Sequence, residues 1–112
     1  MLRLLDETTR VNLLYDFYGP LLTKRQRNVM ELYFHEDWSF GEIAEHLGVS
    51  RQGVFETVKR SREVLEELEE ALQLLSKHIQ RSEIAEAILE QVNGREEQET
   101  VRRLLDQLLK LD

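Results

Sequence analysis

The amino-acid sequence predicts an all-α fold, and three observations support that prediction. Apolar residues recur at helical spacing along the chain, and no segment alternates apolar and polar residues as a strand does. One proline and five glycines among 112 residues leave few positions that interrupt a helix. Hydrophobic residues make up 41% of the chain and charged residues 33%, which suits a small helical bundle.

The first two helices are predicted before residue 38. The first spans about Asp6–Tyr18, and its apolar face comprises Val11, Leu14, Tyr15 and Tyr18. Gly19-Pro20 ends it, because proline cannot continue the hydrogen-bond ladder. Thr23 begins the second helix, and Gln26 three residues later completes a capping box. The predicted buried stripe of this helix comprises Val29, Met30, Tyr33 and Phe34.

The next two helices have the pattern of a helix-turn-helix at about residues 39–62. Ser39 caps the third helix, Gly48 ends it in a left-handed conformation, and Ser50 caps the fourth. Two short helices can cross steeply only if they pack closely, and Ala44 has the small side chain that this requires. The predicted wedge between them comprises Ile43, Leu47, Val49, Val54 and Val58.

The apolar spacing predicts that the fourth helix is long. Positions at alternating steps of four and three form a heptad seam that comprises Val54, Val58, Ser61, Leu65, Leu68, Leu72, Leu75 and Ile79. We therefore expect the fourth helix to reach about Ser76 or Ile79. The seam has two interpretations, since it could pack in cis against other helices or in trans against a second copy of the chain.

Two shorter helices are predicted to complete the chain. Ser82 caps the first of them, and Asn93-Gly94 stops it. The last helix runs from about Glu96, and its apolar residues are Val101, Leu104, Leu105, Leu108 and Leu109. The predicted organisation is a helix-turn-helix domain over residues 1–76 and an acidic C-terminal helical extension over residues 77–112.

The charges are distributed unevenly along the chain. The formal net charge is −7, yet residues 1–62 hold nine Lys/Arg and nine Asp/Glu. Residues 63–112 hold six Lys/Arg and thirteen Asp/Glu, which accounts for the whole net charge. Because an acidic protein repels phosphate backbones at long range, nucleic-acid binding requires a local basic patch in the first half.

The second helix of a helix-turn-helix normally lies in a major groove and contacts bases through its N-terminal residues. At those positions Arg51 is suited to guanine and Gln52 to adenine, whereas Phe55 could contact a thymine methyl group and Glu56 a cytosine. Basic residues on the second and fourth helices could hold phosphates. The predicted nucleic-acid interface comprises Lys24, Arg25, Arg27, Ser50, Arg51, Gln52, Phe55, Glu56, Lys59, Arg60 and Arg62.

An alternative interpretation uses the same motif as a structural corner. Phe55 could then pack against another part of this chain or a partner, and the basic residues could be an ordinary solvated face. Glu56 would face phosphates unfavourably. The residues alone leave both interpretations open.

The motifs resemble those of two related groups of helix-turn-helix proteins. Residues 22–33, 39–44 and 49–52 resemble the −35-reading region of sigma factors, which implies a sigma-region-4-like helix-turn-helix bundle. The sequence is more similar to the YlxM-like family, over about residues 5–75. The matching segments are Leu14 to Tyr18, Leu21 to Gln26, Gly41 to Glu45, Val49 to Gln52 and the Lys59-Arg60 pair. Gly53 and Phe55 depart from the long polar residues of sigma factors.

The resemblance to the YlxM-like family implies a bacterial cytoplasmic protein. Family members are encoded beside the signal recognition particle, its GTPase and its receptor, and the resemblance implies a role in that targeting pathway. It provides no catalytic residue to transfer to this chain. The implied partners are DNA or signal recognition particle RNA, and signal recognition particle proteins.

We expect no enzyme site, no cofactor and no metal site. The chain has no cysteine, which excludes disulfides and thiolate chemistry and is compatible with a reducing cytosol. The three histidines, His35, His46 and His78, do not form a metal-ligand motif, and there is no glycine-rich phosphate loop. We also expect no signal peptide, and no stretch approaches the roughly 18 apolar residues of a membrane span.

Two functions therefore compete at this point. In the first, a non-enzymatic regulatory protein binds DNA or RNA through Arg51, Gln52 and nearby cations. In the second, the acidic helical half binds a basic protein, and the helix-turn-helix is a scaffold. A homodimer or higher oligomer is expected in either case, because a long amphipathic helix needs a partner for its apolar stripe.

Overall fold

The computed structural model describes residues 6–111, which form two compact units, 6–73 and 74–111. The described chain is helical and contains no strand, as predicted. Its α-helices are α1 (Glu7–Tyr18), α2 (Lys24–Met30), α3 (Phe40–Leu47), α4 (Arg51–Leu72), α5 (Leu74–Glu90) and α6 (Arg95–Leu109). None of these helices combines the length and apolar character needed to cross a membrane.

The first unit begins with two helices that start at side-chain caps. Asp6 accepts a 2.7 Å hydrogen bond from the backbone of Thr9 at the start of α1, which lowers the pKa of Asp6. A 3₁₀ turn at Gly19–Leu21 follows α1. Thr23 and Gln26 then form the predicted capping box of α2, with both reciprocal bonds present.

The second helix continues beyond α2 as a π-helical segment, Glu31–His35. The wider turn changes which side chains face the core. Val29 and Met30 are buried as predicted, whereas Tyr33 and Phe34 are only half-buried. The prediction of one continuous buried stripe was therefore wrong at its C-terminal end.

The corner between α3 and α4 confirms the predicted helix-turn-helix. Ser39 caps α3 through Glu42, and Ser50 accepts a 2.9 Å hydrogen bond from the Gly53 amide at the start of α4. Gly48 has a φ of 69°, which is the left-handed conformation that ends α3. The wedge residues with less than 8% exposure are Ile43, Ala44, Val54 and Val58. Leu47 and Val49 are half-buried at its edge.

Helix α4 is the element that α1, α2 and α3 share, since it packs against each of them. Its buried side includes Val54, Val58 and Leu65. At the far end of the unit, the hydroxyl of Tyr18 donates a 2.6 Å hydrogen bond to the buried carboxylate of Glu69. This bond joins α1 to the last turns of α4 and satisfies polar atoms inside the core.

The end of α4 differs from the prediction. The helix ends at Leu72, and Gln73 adopts a left-handed conformation with a φ of 57°, so the helix does not reach Ser76 or Ile79. A left-handed glutamine costs only about 1–2 kcal/mol, and no glycine or proline marks the break in the sequence. A heptad pattern that continues across the break cannot distinguish one helix from two. The domain assignment of 1–76 and 77–112 stays a prediction.

The second unit pairs α5 with α6, which the four residues 91–94 connect. Ser82 lies within α5 and does not cap a helix, which corrects that prediction. Ala85 and Leu89 are buried, and Val101, Leu105 and Leu109 on α6 are half-buried. The short connection and the contact between the helices make them an antiparallel pair.

Replacing Gly48 should test the corner directly. A Cβ added at Gly48 meets no atom within 4 Å, so Gly48→Ala carries only the cost of the left-handed backbone. We expect it to lower the free energy of unfolding by about 1–2 kcal/mol in urea titrations followed by circular dichroism.

The matched control is Gly41→Ala in α3. Its added Cβ would lie 3.9 Å from the Ser39 hydroxyl, an ordinary contact, and Gly41 is helical. This variant should keep or raise the stability by up to about 1 kcal/mol, because alanine restricts the unfolded chain. Equal losses in both variants would contradict a left-handed corner at Gly48.

Candidate nucleic-acid interface

The N-terminus of α4 presents the residues at the centre of the predicted interface. The Ser50 cap fixes the first turn, and a Cβ at Gly53 would lie 3.1 Å from the Ser50 hydroxyl, so glycine keeps that cap unobstructed. Arg51 and Gln52 in this turn are exposed. The helix dipole adds positive potential at the same end, which favours anions.

Four predicted cations are exposed and not neutralised by the chain itself. They are Lys24 and Arg25 at the start of α2, and Arg51 and Lys59 on α4. Within residues 6–111, none of the four forms an ion pair. Arg27, which was predicted with them, is half-buried in α2. The exposed ammonium and guanidinium groups can pair with phosphates.

Two other predicted phosphate ligands are held by carboxylates. Arg60 lies 3.6 Å from Glu63 and 3.5 Å from Glu67, and Arg62 pairs with Glu7 of α1. Binding a phosphate at either position would compete with these contacts. Sequence patterns could not show the Arg62–Glu7 pair, because Glu7 is distant from Arg62 along the chain.

The base-reading positions are also coupled to each other. Gln52 donates a 2.9 Å hydrogen bond from its side-chain amide to Glu56, one turn later on α4. Pairing of Gln52 with adenine uses that amide as a donor. The amide nitrogen carries two hydrogens, so one can stay bonded to Glu56 while the other donates to adenine.

Phe55 continues the exposed row of α4 and joins an aromatic cluster. Its ring forms a T-shaped pair with the ring of Phe40, with centroids 5.9 Å apart, and 43% of the residue is exposed. Phe40 in turn stacks on Tyr33, with centroids 4.7 Å apart. Phe55 therefore packs in cis against Phe40, as one alternative predicted, while part of the residue stays accessible.

Sequence reasoning missed Phe40 and Tyr33 as part of this surface. Tyr33 was assigned to a buried stripe, and Phe40 was treated only as a residue of the motif. Their proximity depends on the π-helical segment and on the corner, which bring distant turns together. Alternating aromatic residues near the cap of α3 were the available signal.

An ion pair between α1 and α4 anchors the helix that carries the interface. Arg10 donates hydrogen bonds of 2.9 and 2.8 Å to the two carboxylate oxygens of Glu66. This bidentate contact lowers the pKa of Glu66 and raises that of Arg10. Near α2, burial and the 2.6 Å hydrogen bond to Glu31 raise the pKa of Tyr15 to about 12.

Two of the three histidines lie at aromatic contacts. His35 and Tyr15 are edge-to-face with centroids 5.4 Å apart, and His46 and Trp38 are 5.1 Å apart. Over the part of the chain that the structure describes, no three His, Asp or Glu side chains gather as a metal site would require.

Comparison with known proteins agrees with the corner geometry. Residues 5–105 match the family described as "Putative helix-turn-helix protein, YlxM / p13 like", UPF0122. The chain belongs to the UPF0122 family. It is 45% identical to YlxM of Bacillus subtilis over 108 residues, which cover 96% of this chain and 98% of YlxM.

Other UPF0122 proteins are similarly related. A member from Halalkalibacterium halodurans is 48% identical over 105 residues, covering 94% of this chain and 96% of its own. A member from Oceanobacillus iheyensis is 46% identical over 103 residues, covering 92% and 98%. The similarity thus extends through both compact units of this UPF0122 protein.

The Arg10–Glu66 pair predicts acid sensitivity. The pKa of Glu66 in the folded protein is below its ordinary 4.5, so its contribution to stability is complete above that pH and is lost as the pH falls. In urea titrations between about pH 6 and pH 3, Glu66→Gln should show a smaller loss of unfolding free energy than the wild type.

Arg10→Ala should reduce the acid dependence in the same way, and the double variant should reduce it no further, because both changes remove one interaction. The wild type keeps some acid dependence from the lowered pKa values of Asp6 and Glu42. Parallel pH profiles for the wild type and both single variants would show that this pair does not contribute.

Proposed function

We propose that this UPF0122 protein is a non-enzymatic regulatory protein that binds nucleic acid through the start of α4 and the start of α2. The observation that carries the proposal is the capped corner, which exposes Arg51 at the N-terminus of α4. Arg51 is exposed and has no carboxylate partner among the residues described. A helix in this position is the element that enters a major groove in other helix-turn-helix proteins.

The net charge of −7 is compatible with binding if the attraction is local. Charges separated by more than about 8–10 Å are largely screened at physiological salt, so nearby cations dominate once the surfaces meet. Lys24, Arg25, Arg51 and Lys59 provide those cations. The acidic residues from position 63 onward should limit non-specific binding. The affinity should fall as salt rises, because the cations that contact phosphates release condensed counterions.

The polymer we propose is DNA or the RNA of the signal recognition particle, and the pathway is the one that this particle serves. The helix-turn-helix motif supports binding of nucleic acid in general, whereas the signal recognition particle is proposed from the sequence resemblance to YlxM-like proteins. Gln52 is hydrogen-bonded to Glu56, and Phe55 replaces a polar reading residue. The phenyl ring of Phe55 weakens promoter-like reading of base edges, because it cannot donate or accept an ordinary hydrogen bond.

The test compares two arginines on the same helix. Arg51→Ala should weaken binding of a fluorescent DNA duplex, or of the particle RNA, by about tenfold at low salt, and should lower the salt slope by about 1. Arg60 lies nine residues from Arg51, about two and a half turns, and therefore on the opposite side of α4. Because Arg60 pairs with Glu63 and Glu67, Arg60→Ala should change affinity much less.

Fluorescence anisotropy at several salt concentrations measures both quantities. Unfolding curves should be recorded for each variant, so that a loss of folding is not read as a loss of contact. If neither DNA nor the particle RNA binds at low salt, or if the two arginine variants behave identically, the proposal fails.

A second candidate function is supported by an exposed aliphatic face on the α5–α6 pair. Ile84 and Ile88 are 60% and 45% exposed, and Leu104 and Leu108 are 53% and 61% exposed. Each exposed residue directly precedes a buried or half-buried one in its helix. In an antiparallel pair, this common offset places all four side chains on the same side.

Exposed aliphatic side chains gathered on one face are typical of interaction surfaces. We propose, as the alternative function, that this face binds a protein, with the helix-turn-helix as scaffold. The protein would be a component of the signal recognition particle or a second copy of the chain. A charged residue at its centre would interrupt such a contact.

Capture from a bacterial lysate distinguishes the two functions. Ile84→Asp should abolish nuclease-resistant protein partners or self-association in sedimentation, while Arg51→Ala should abolish only nuclease-sensitive capture. Leu21→Asp is the control, because Leu21 is an exposed leucine of the first unit. If Ile84→Asp retains every partner and the same mass as the wild type, the face has no role in assembly.

A further inference from the structure

A row of three side chains runs along the exposed side of α4. Arg51, Phe55 and Lys59 are separated by four residues each, so they lie on successive turns of the helix. All three are exposed, and in the described chain neither cation has an ion-pair partner. The row therefore presents an aromatic ring between two cations.

The ring of Phe55 forms one wall of an apolar groove. The groove has a volume of about 500 Å³, and its aromatic and aliphatic walls come from Tyr33, Phe40, Phe55 and Val58. Lys59 and Arg62 also line it. The groove is large enough for a flat ring, and it lies beside α4, which carries Arg51 and Lys59 on different turns.

The aromatic side chains are fixed by contacts with each other. Tyr33 and Phe40 stack with their planes 24° apart, and Phe55 meets Phe40 at 74°. Because the rings of Phe55 and Phe40 form a T-shaped pair, Phe40 orients Phe55 without stacking parallel to it. An open, pre-oriented aromatic face is the surface on which nucleic-acid bases stack in single-strand binding proteins.

We propose that this groove binds one unpaired base of a nucleic acid, which stacks on Phe55 while the adjoining phosphates contact Arg51 and Lys59. The inference rests on the proposed function and specifies its ligand. In a complete duplex the faces of the bases are covered by their neighbours, so Phe55 could reach only base edges. An unpaired base offers the face that the groove accommodates.

The charges favour a nucleotide as the occupant over an apolar peptide. The two cations on either side of Phe55 lack internal partners, and a strand carries phosphates on both sides of each base. Glu63 also lines the groove, but it lies 3.6 Å from Arg60, which offsets its charge. An aliphatic side chain would leave both cations unused.

The experiment compares hairpins that differ by one base. A fluorescent RNA hairpin with a single bulged nucleotide is titrated against the full-length protein, beside the same hairpin fully paired and the DNA versions of both. We expect the bulged hairpin to bind about tenfold more tightly than the paired hairpin. The RNA and DNA versions show whether the sugar matters.

Phe55→Leu is the decisive variant, since it keeps an apolar side chain and removes the ring. It should abolish the preference for the bulge, because it lowers affinity for the bulged hairpin far more than affinity for the paired hairpin. Phe55→Tyr should retain the preference. Thermal unfolding confirms that each variant is folded, which the 43% exposure of Phe55 favours.

Failure of this inference can be distinguished from failure of the proposed function. If the wild type binds paired and bulged hairpins equally and Phe55→Leu changes neither, this inference is overturned, while binding that depends on Arg51 retains the proposed function. If no hairpin binds at low salt, both fail. A preference for the bulge that survives Phe55→Leu places the base elsewhere and also overturns the inference.

Discussion

Helices α1, α2 and α3 all pack against the apolar side of α4, and this packing sets the arrangement of the first unit. The shared side includes Val54, Val58 and Leu65, which must face α1, α2 and α3 without leaving a void. Ser61 lies in the same seam and is fully buried, yet its hydroxyl donates a 2.7 Å hydrogen bond to the Thr57 carbonyl. A polar residue is thus accommodated without a partner from another helix.

The same packing determines what α4 exposes. A helix with one side in the core presents the opposite side to solvent at a fixed spacing, which places Arg51, Phe55 and Lys59 on successive turns. The left-handed Gly48 and the Ser50 cap begin the helix at a defined position. The candidate interface is therefore a consequence of the corner and the core, with little freedom in its backbone.

Internal ion pairs select which basic residues remain available. Arg10, Arg60 and Arg62 contact Glu66, Glu63 and Glu7 respectively, so carboxylates of the chain neutralise them. The exposed cations without such partners lie nearer the start of α2 and α4. Arginines of identical chemistry consequently differ in local electrostatic potential, because that potential depends on the distance to a carboxylate.

Much of the first unit follows from local rules that act within a few residues. The caps at Thr23, Ser39 and Ser50 and the left-handed Gly48 are determined by short-range hydrogen bonds and backbone sterics, so the sequence alone predicted them and the corner they form. The end of α4 at Gln73 could not be predicted, because a left-handed glutamine costs little and no glycine or proline marks the position. The continuation of α5 through Ser82 could not be predicted either.

In the candidate site too, some features were predicted from the sequence and others were decided only by the tertiary structure. Sequence identified Arg51, Gln52 and Phe55 as exposed, because helical period and the motif determine which side of α4 they occupy. Only the tertiary structure paired Arg62 with Glu7 and placed Tyr33 and Phe40 beside Phe55. These contacts join residues on different helices, and their distances depend on packing between helices, which the spacing within each helix does not encode.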